Sequence, residues 1–342
     1  MPVAPNPDVV ATASEYKGAR PGVSVSSSSF PSVATADEFD RVIRDETAIA
    51  PGLARLSAEL GLGALSQERF ATGSRPVYAI GDAVLKLYAP FDRDAAARES
   101  AVLRVLDERL PIPTPRLRAD GELDGWGYVL MDRLDGELLV TAWPRIDATD
   151  RERLASELGE TLAVLHSVSD ARLQPARVDW DAFLLEQSRT AAARQRARGL
   201  DERWIEQIED FLEVTAGELA AAPAESLLHT EVMREHLLVA PSGGRFRFSG
   251  LFDFEPAMVG AAEYDFGATG LFFSCGDPAL FARVLRAYGY AGDALGSGLE
   301  RRLMAYTLLH RYSNLGWYLS RMPPPARVTR LDELAALWWS AR

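Results

Sequence analysis

Cysteine occurs once in the 342 residues, and asparagine and lysine twice each; every one of these scarcities excludes something. The lone Cys275 can neither close an internal disulfide nor supply a Cys-x-x-Cys metal site, which removes disulfide scaffolds and zinc deaminases from consideration. No apolar run reaches the ~20 residues that a membrane-spanning helix needs, and the first residues lack a basic stretch followed by an apolar one. A soluble, cytoplasmic protein with no membrane partner is expected. Net charge is −12, from 49 acids against 37 bases with both signs interspersed, which argues against a nucleic-acid partner and suits a cationic small molecule. Apolar mass is plentiful: 47% of residues are hydrophobic, enough for one large or two modest cores.

The two lysines are Lys17, near the start, and Lys86, inside a strand-like run; the other 35 basic residues are arginines. A sequence that writes arginine wherever a cation need only be soluble, yet keeps lysine at position 86, marks a place for a compact ammonium instead of a forked guanidinium.

Residues 1–36, rich in Pro, Ser, Ala and Thr, have neither helical nor alternating period and read as a flexible leader. Helical spacing then runs from Ala36 to Leu60. Short runs at Arg69–Ala71, Val77–Ile80 and Ala83–Tyr88, punctuated by Gly73-Ser74 and Gly81-Asp82, predict two or three antiparallel strands. A helix over Arg93–Glu108 with Asp92 as its cap follows, then strands at Arg116–Ala119 and Trp126–Met131. Further helices are predicted over Asp150–Ser167, Trp180–Arg198, Glu202–Ala220, Pro278–Tyr288, Leu299–Leu319 and Leu331–Ser340, interrupted by a hairpin of His236–Ala240 and Arg245–Phe252. The chain is therefore read as α+β. A small N-lobe of antiparallel sheet with one helix, residues 37–134, is joined by a hinge near Asp132–Gly136 to a larger, mainly helical C-lobe, residues 135–342.

On the helix after Lys86, Glu99 shares the face of Val102, Leu103 and Leu106, so a carboxylate points inward. It either snorkels to solvent beside Arg98 or meets a cation from the adjacent sheet, and the scarcity of lysine favours a pair with Lys86. A second constellation runs from His229 to His236, holding two of the four histidines, and continues past the hairpin to Asp253-Phe254-Glu255. A turn centred between Ser242 and Gly243 would set His236 opposite Ser249 and Asp253 opposite Val232, crowding Glu231, His236, Asp253 and Glu255 together. Such a cluster calls for a divalent cation or a catalytic task. Zinc is the weaker choice, since no His-Glu-x-x-His helix is present. His166, capping the end of its helix, and His310 read as structural, and Trp317, Tyr318, Trp338 and Trp339 as core.

Strand lysine, helix glutamate, hinge, His229–His236 and Asp253-Phe254-Glu255, in this order, resemble the aminoglycoside phosphotransferases, a branch of the protein-kinase-like fold. The likeness spans about residues 40–335. Ala97–Leu103, Pro111–Pro115 and Tyr128–Met131 look most like the hygromycin B group. The resemblance implies a two-lobe kinase that moves the γ-phosphoryl of ATP or GTP, with Mg2+ or Mn2+, to a hydroxylated small molecule such as an aminoglycoside, an activity tied to antibiotic resistance. By the same resemblance Lys86, positioned by Glu99, would hold the α/β-phosphates, and Gly73, Ser74 and Arg75 would lie over them. Backbone groups of Met131–Leu134, including Arg133, would meet the base. Asp253 would bind the metal with His236 and Glu255, Glu231 would act as base, and Asp265 would brace the catalytic loop.

Three departures stand out. Relatives have His-Gly-Asp and, further on, Asn, where this chain has Thr230, Glu231 and His236. Glutamate retains carboxylate chemistry with one more methylene, while imidazole is a poorer Mg2+ ligand than an amide oxygen. Two further hypotheses follow: a catalytically weak nucleotide- or ligand-binding protein of the same fold, and a metal-dependent hydrolase using His229, Glu231 and His236. Asp179, Glu263 and Asp277 are candidate contacts for a cationic acceptor, and the oligomeric state is left open.

Overall fold

The computed structural model describes residues 28–341 apart from 64 and 72, so most of the expected leader lies outside the described residues. Two compact units divide the chain. One holds the residues up to Arg104 together with Pro115–Arg133, and the other holds Val105–Thr114 with the chain from Leu134 onward.

The first unit comprises α1 (Ala36–Arg44), α2 (Glu46–Glu59), β1 (Gln67–Arg69), β2 (Val77–Ile80), β3 (Ala83–Tyr88), most of α3 (Arg93–Leu106), β4 (Leu117–Leu123) and β5 (Trp126–Asp132). Its antiparallel sheet has the order β1-β2-β3-β5-β4. The single helix expected over Ala36–Leu60 is broken at Asp45, whose extended backbone ends α1 and whose side chain caps α2 by accepting from the Thr47 amide. Alternation along β3 sends Ala83, Leu85 and Leu87 into the core with Ile49, Leu53 and Trp126, and turns Lys86 and Tyr88 to the opposite face.

The expected leader is too long by at least eight residues. From Ser28 the chain is packed: Phe30 is 1% exposed and stacks on Trp126 with ring centroids 5.3 Å apart. Asp124 accepts from the amides of Ser29 and Phe30, and Trp126 donates its indole N–H to the Pro31 carbonyl. Two apolar residues among small polar ones carry no period, so the pattern did not announce them.

The second unit comprises β6 (Glu137–Leu138), α4 (Leu139–Ala142), α5 (Ala148–Ser167), α6 (Trp180–Ala197), α7 (Glu202–Ile205), α8 (Ile208–Ala220), β7 (Ser226–Leu228), β8 (Leu237–Ser242), β9 (Arg245–Leu251), β10 (Met258–Gly260), α9 (Glu263–Ala268), α10 (Pro278–Tyr288), α11 (Ser297–Leu309), α12 (Leu315–Arg321) and α13 (Leu331–Trp338). Gly159 lets α5 and α10 touch, since a Cβ there would lie 2.2 Å from the Val284 carbonyl oxygen. Trp338 and Trp339 are buried as expected. The helix expected over Leu299–Leu319 is interrupted from His310 to Asn314, where Asn314 caps α12 through the Trp317 amide. Among the described residues no helix is long and apolar enough to cross a membrane.

Two pairings position the chemistry. β7 pairs with β10, Leu228 opposite Met258, and β8 pairs with β9, Leu237 opposite Leu251. The segments 229–236 and 252–257 connect these pairs and are therefore forced side by side. The hairpin register corrects the expected one. The turn falls on Gly243-Gly244, at φ 61° and 78°, a two-residue turn that needs positive φ at both positions. With a bulge beside Val239, His236 meets Phe252 instead of Ser249, its carbonyl accepting from the Phe252 amide at 3.1 Å. Asp253 then lands beside His236.

Replacing Phe30 by Ala should destabilise the protein by about 3 kcal/mol, the usual cost of emptying a buried aromatic site. Urea unfolding measures it, and a loss below about 0.5 kcal/mol would return residues 28–35 to the leader.

Candidate active site

In the first unit Lys86 is 7% exposed and Glu99 1% exposed, and Lys86 Nζ lies 3.2 Å from Glu99 Oε2. The pair inferred from lysine scarcity is therefore formed. Tyr88, two residues along the same strand face, donates its hydroxyl to the same carboxylate oxygen, and Lys86 sits 5.6 Å from the centre of that ring. Arg75 stacks over the other part of this group, 5.3 Å from the Tyr88 ring, and is ion-paired with Asp92. Gly73, at φ 115°, and Ser74 precede it in the connection from β1 to β2, so the turn is anchored on the lysine's neighbour. Met131 lies on β5 opposite Val84. The Arg133 amide donates to the Asp82 carbonyl and the Asp132 amide to that of Arg116, so two of the backbone groups expected to meet a base are engaged within the unit.

In the second unit the fully buried Asp265 organises the segment after β7. Its carboxylate accepts from the His229 amide at 2.9 Å, the Thr230 amide at 2.6 Å and His166 Nε2 at 3.0 Å, and Tyr288 donates to His166 Nδ1 at 3.0 Å. His166 thus braces Asp265 and does not cap its own helix. His310 Nε2 donates to the Thr230 carbonyl at 3.1 Å while its Nδ1 accepts from the Tyr312 amide. Thr230, held from these sides and fully buried, has φ 70°, a left-handed conformation that a β-branched residue adopts only under constraint; Asp253 has φ 70° as well.

Each imidazole has a role readable from its partners. His229 donates from Nε2 to the Phe252 carbonyl and accepts at Nδ1 from the Glu231 amide, so both nitrogens are occupied and neither faces a metal. This removes His229 from the hydrolase ligand set. His236 must donate from Nδ1 to the Glu231 carbonyl, which turns Nε2 toward Asp253 Oδ2, 3.2 Å away. Glu231, His236 and Asp253 each place a ligand atom within 4.8 Å of the others. Glu255, expected in that set by the family resemblance, is outside it, and Glu231, which that resemblance made the base and the hydrolase reading made a metal ligand, is inside it. Burial, reinforced by Asp253 and Glu255 and opposed by His236 and Arg311, raises the Glu231 carboxyl to about 7.

The contributors that sequence reasoning missed are Tyr88, Tyr288 and Arg311, and the bracing roles of His166 and His310. Tyr88 was reachable, being two residues from Lys86 on a strand.

An antiparallel sheet with an ion-paired lysine, and a helical unit carrying an acid-histidine cluster on two paired connections, define a kinase-like phosphotransferase. The phosphotransferase enzyme family matches residues 66–303, and the chain belongs to that family. Among solved structures it is similar to a mutant aminoglycoside 2'-phosphotransferase-IIIa in complex with GDP, at 16% identity and TM-score 0.64 over 83% of this chain and 97% of that one. It is also similar to a ternary complex of APH(2'')-IIa with streptomycin and ATP, at 16% identity and TM-score 0.57 over 83% and 97%. A third is the macrolide 2'-phosphotransferase from Brachybacterium faecium, at 21% identity and TM-score 0.52 over 84% and 97%. No curated protein sequence matches. The finer likeness to the hygromycin B group rests on the sequence segments alone.

Burial pushes both His229 and His310 down to about 4. Because the folded pKa lies below the unfolded one near 6.5, the neutral forms stabilise the fold fully above pH 6.5, and that stability drains away as pH falls toward 4. A loss of about 2 kcal/mol per histidine by pH 4.5 is expected in urea unfolding. His310→Gln, which retains a donor, should flatten the profile; an unchanged slope would mean that His310 is not buried neutral.

Proposed function

We propose that this phosphotransferase is a small-molecule kinase that moves the γ-phosphoryl group of ATP or GTP onto a hydroxyl. The observation that carries the reading is the buried Lys86–Glu99 pair. An ammonium has three donors, and a carboxylate fixed at 3.2 Å aims it. A chain with 35 arginines has kept the one side chain that presents a compact, steerable charge to α/β-phosphates. Arg75 and the Gly73-Ser74 turn, anchored on Tyr88 and Asp92, would lie over the phosphates.

The donor set of Glu231, His236 and Asp253 fits a divalent cation. The imidazole nitrogen that faces Asp253 can bind a metal only through its lone pair, which the Nδ1–H bond to the Glu231 carbonyl leaves at Nε2. One nitrogen among oxygens favours Mn2+ over Mg2+ relative to an all-oxygen site. When bound, the ion neutralises phosphate charge. Asp253 and His236 are its proposed ligands.

Glu231 is proposed as the base. A carboxyl near 7 is half ionised at neutral pH and strong enough to accept the proton of an incoming hydroxyl, a match worth ~10²–10⁴ in rate. Transfer otherwise depends on positioning, which Asp265 and His310 provide by fixing the peptide that carries Glu231. Streptomycin in one relative and the macrolides named for another are hydroxylated small molecules, and the acceptor here is proposed to be one too.

One observation favours a second reading, a nucleotide binder with weak turnover: Thr230 takes a left-handed conformation where relatives carry glycine, at a cost of about 1–2 kcal/mol. Nucleotide-induced stabilisation without nucleotide consumption would select it.

Under the kinase reading, Lys86→Ala and Asp253→Ala each abolish nucleotide-dependent turnover, while Glu231→Gln retains nucleotide binding and loses at least about 10²-fold in rate. Because the base works deprotonated, kcat should rise with pH through about 7, and this limb should vanish in the Gln variant. Equal activity in all three variants, measured by ADP or GDP release with Mg2+ and Mn2+, rejects the assignment.

A further inference from the structure

We propose that Arg311 anchors an anion subsite beside Glu231, and that the hydroxyl acceptor carries a carboxylate. The inference rests on the kinase reading, in which the accepting hydroxyl comes within hydrogen-bond reach of Glu231. The rest of the acceptor then meets groups near Glu231 that are not turned to His236 and Asp253. Arg311 is such a group, near enough for its charge to act on Glu231. It directly follows His310, whose imidazole holds the peptide carbonyl just ahead of Glu231.

The surroundings of the Arg311 guanidinium are unusual for a half-buried cation. It lies 6.0 Å from the centre of the Phe183 ring and 5.9 Å from that of Tyr312, and one terminal nitrogen donates to Met258 Sδ at 3.6 Å. Its Nε is buried without a hydrogen-bond partner. Among the described residues no carboxylate comes within ion-pair distance of it. Arg194 lies behind, donating to the carbonyls of His310 and Arg311 at 3.4 and 3.2 Å, and Arg198 donates to that of Ser313. Burial, then the neighbouring Arg198, lowers Arg194 from its ordinary value. Guanidinium groups thus crowd a five-residue break, and the one next to Glu231 has rings, a sulfur and the Tyr264 hydroxyl around it but no acid as an ion-pair partner among the described residues.

A polycationic acceptor would need the reverse. Its candidate partners are engaged elsewhere: Asp179 caps α6 through the Ala182 amide, Asp277 caps α10 through the Ala279 and Leu280 amides, and Glu263 is gripped by Arg302 and Tyr290. A hydroxy acid fits what is present. Its carboxylate accepts from the planar guanidinium, its carbon skeleton rests against Phe183 and Tyr312, and its hydroxyl reaches Glu231.

Nucleotide consumption with Mn2+ and ATP or GTP, read against each variant's own basal hydrolysis, tests this with gluconate and glucuronate beside glucose, kanamycin and glycerol 3-phosphate. The two carboxylates should change the rate where glucose does not. Arg311→Met should raise their half-effect concentration roughly tenfold or more, with Arg311→Lys between, the loss expected for a charged hydrogen bond. No response to either carboxylate overturns the proposal, as does kanamycin turnover indifferent to Arg311→Met. A stronger response to glycerol 3-phosphate than to gluconate assigns the subsite to phosphate esters and overturns the carboxylate assignment. Wild-type protein that neither binds nor consumes nucleotide fails the kinase reading instead. Calorimetric binding of gluconate, lost in Arg311→Met, then tests the subsite alone, and its absence rejects it.

Discussion

Asp265 is the constraint on which the second unit's chemistry hangs. A carboxylate with no exposure needs several donors to be tolerated in the interior, and it takes them from two consecutive backbone amides and one imidazole. Consecutive amides can converge on one carboxylate only if the chain turns sharply there, and Thr230 at φ 70° is that turn. The buried charge and the strained peptide therefore stabilise each other. His310 closes the arrangement by donating to the carbonyl of the same residue. Everything downstream, the direction of Glu231 and the placement of His236 against Asp253, inherits its geometry from this fixed point.

Glu99 and Glu231 show two ways to place a carboxylate in a fold. Glu99 sits deepest and is matched by an ammonium and a phenol, so its burial is compensated and its position is fixed. Glu231 has Arg311 in range but no ion pair as close, and two other acids nearby, so the proton is held up to neutral pH. The first arrangement suits a permanent electrostatic anchor. The second suits a group that must gain and lose a proton, and it costs stability whenever that group is ionised.

The legible parts of this molecule were those governed by local repetition or by rarity. Lysine at position 86 was conspicuous because the chain has almost none, and Glu99 fell on its face by helical count; together they yielded the ion pair. The hairpin was legible in outline only. Pro241-Ser242-Gly243-Gly244 offers several turns, and the decisive signal, two consecutive residues able to take positive φ, pointed to Gly243-Gly244. Helix breaks at Asp45 and Asn314 carried their own capping residues, which apolar periodicity does not weigh. The partners of His166 and His310 were out of reach, since Asp265 lies 99 residues from the first and Thr230 80 residues from the second. No local pattern encodes such a contact.

The same compositional bias that exposed Lys86 concealed Arg311. One guanidinium among 35 carries no information as a residue type; it becomes informative only through what surrounds it. Most arginines here have surface acids, as Arg118 has Asp82 and Arg302 has Glu218 and Glu263. Arg311 has aromatic faces, a thioether and a carboxylate held at a distance. A net charge of −12 suggested a cationic acceptor when averaged over the whole chain, but the average is set by solvated faces. The charge that selects a ligand is the charge near the reacting group, and around Glu231 the acids Asp253 and Glu255 face the phosphate side while Arg311 is the proposed anchor for the acceptor.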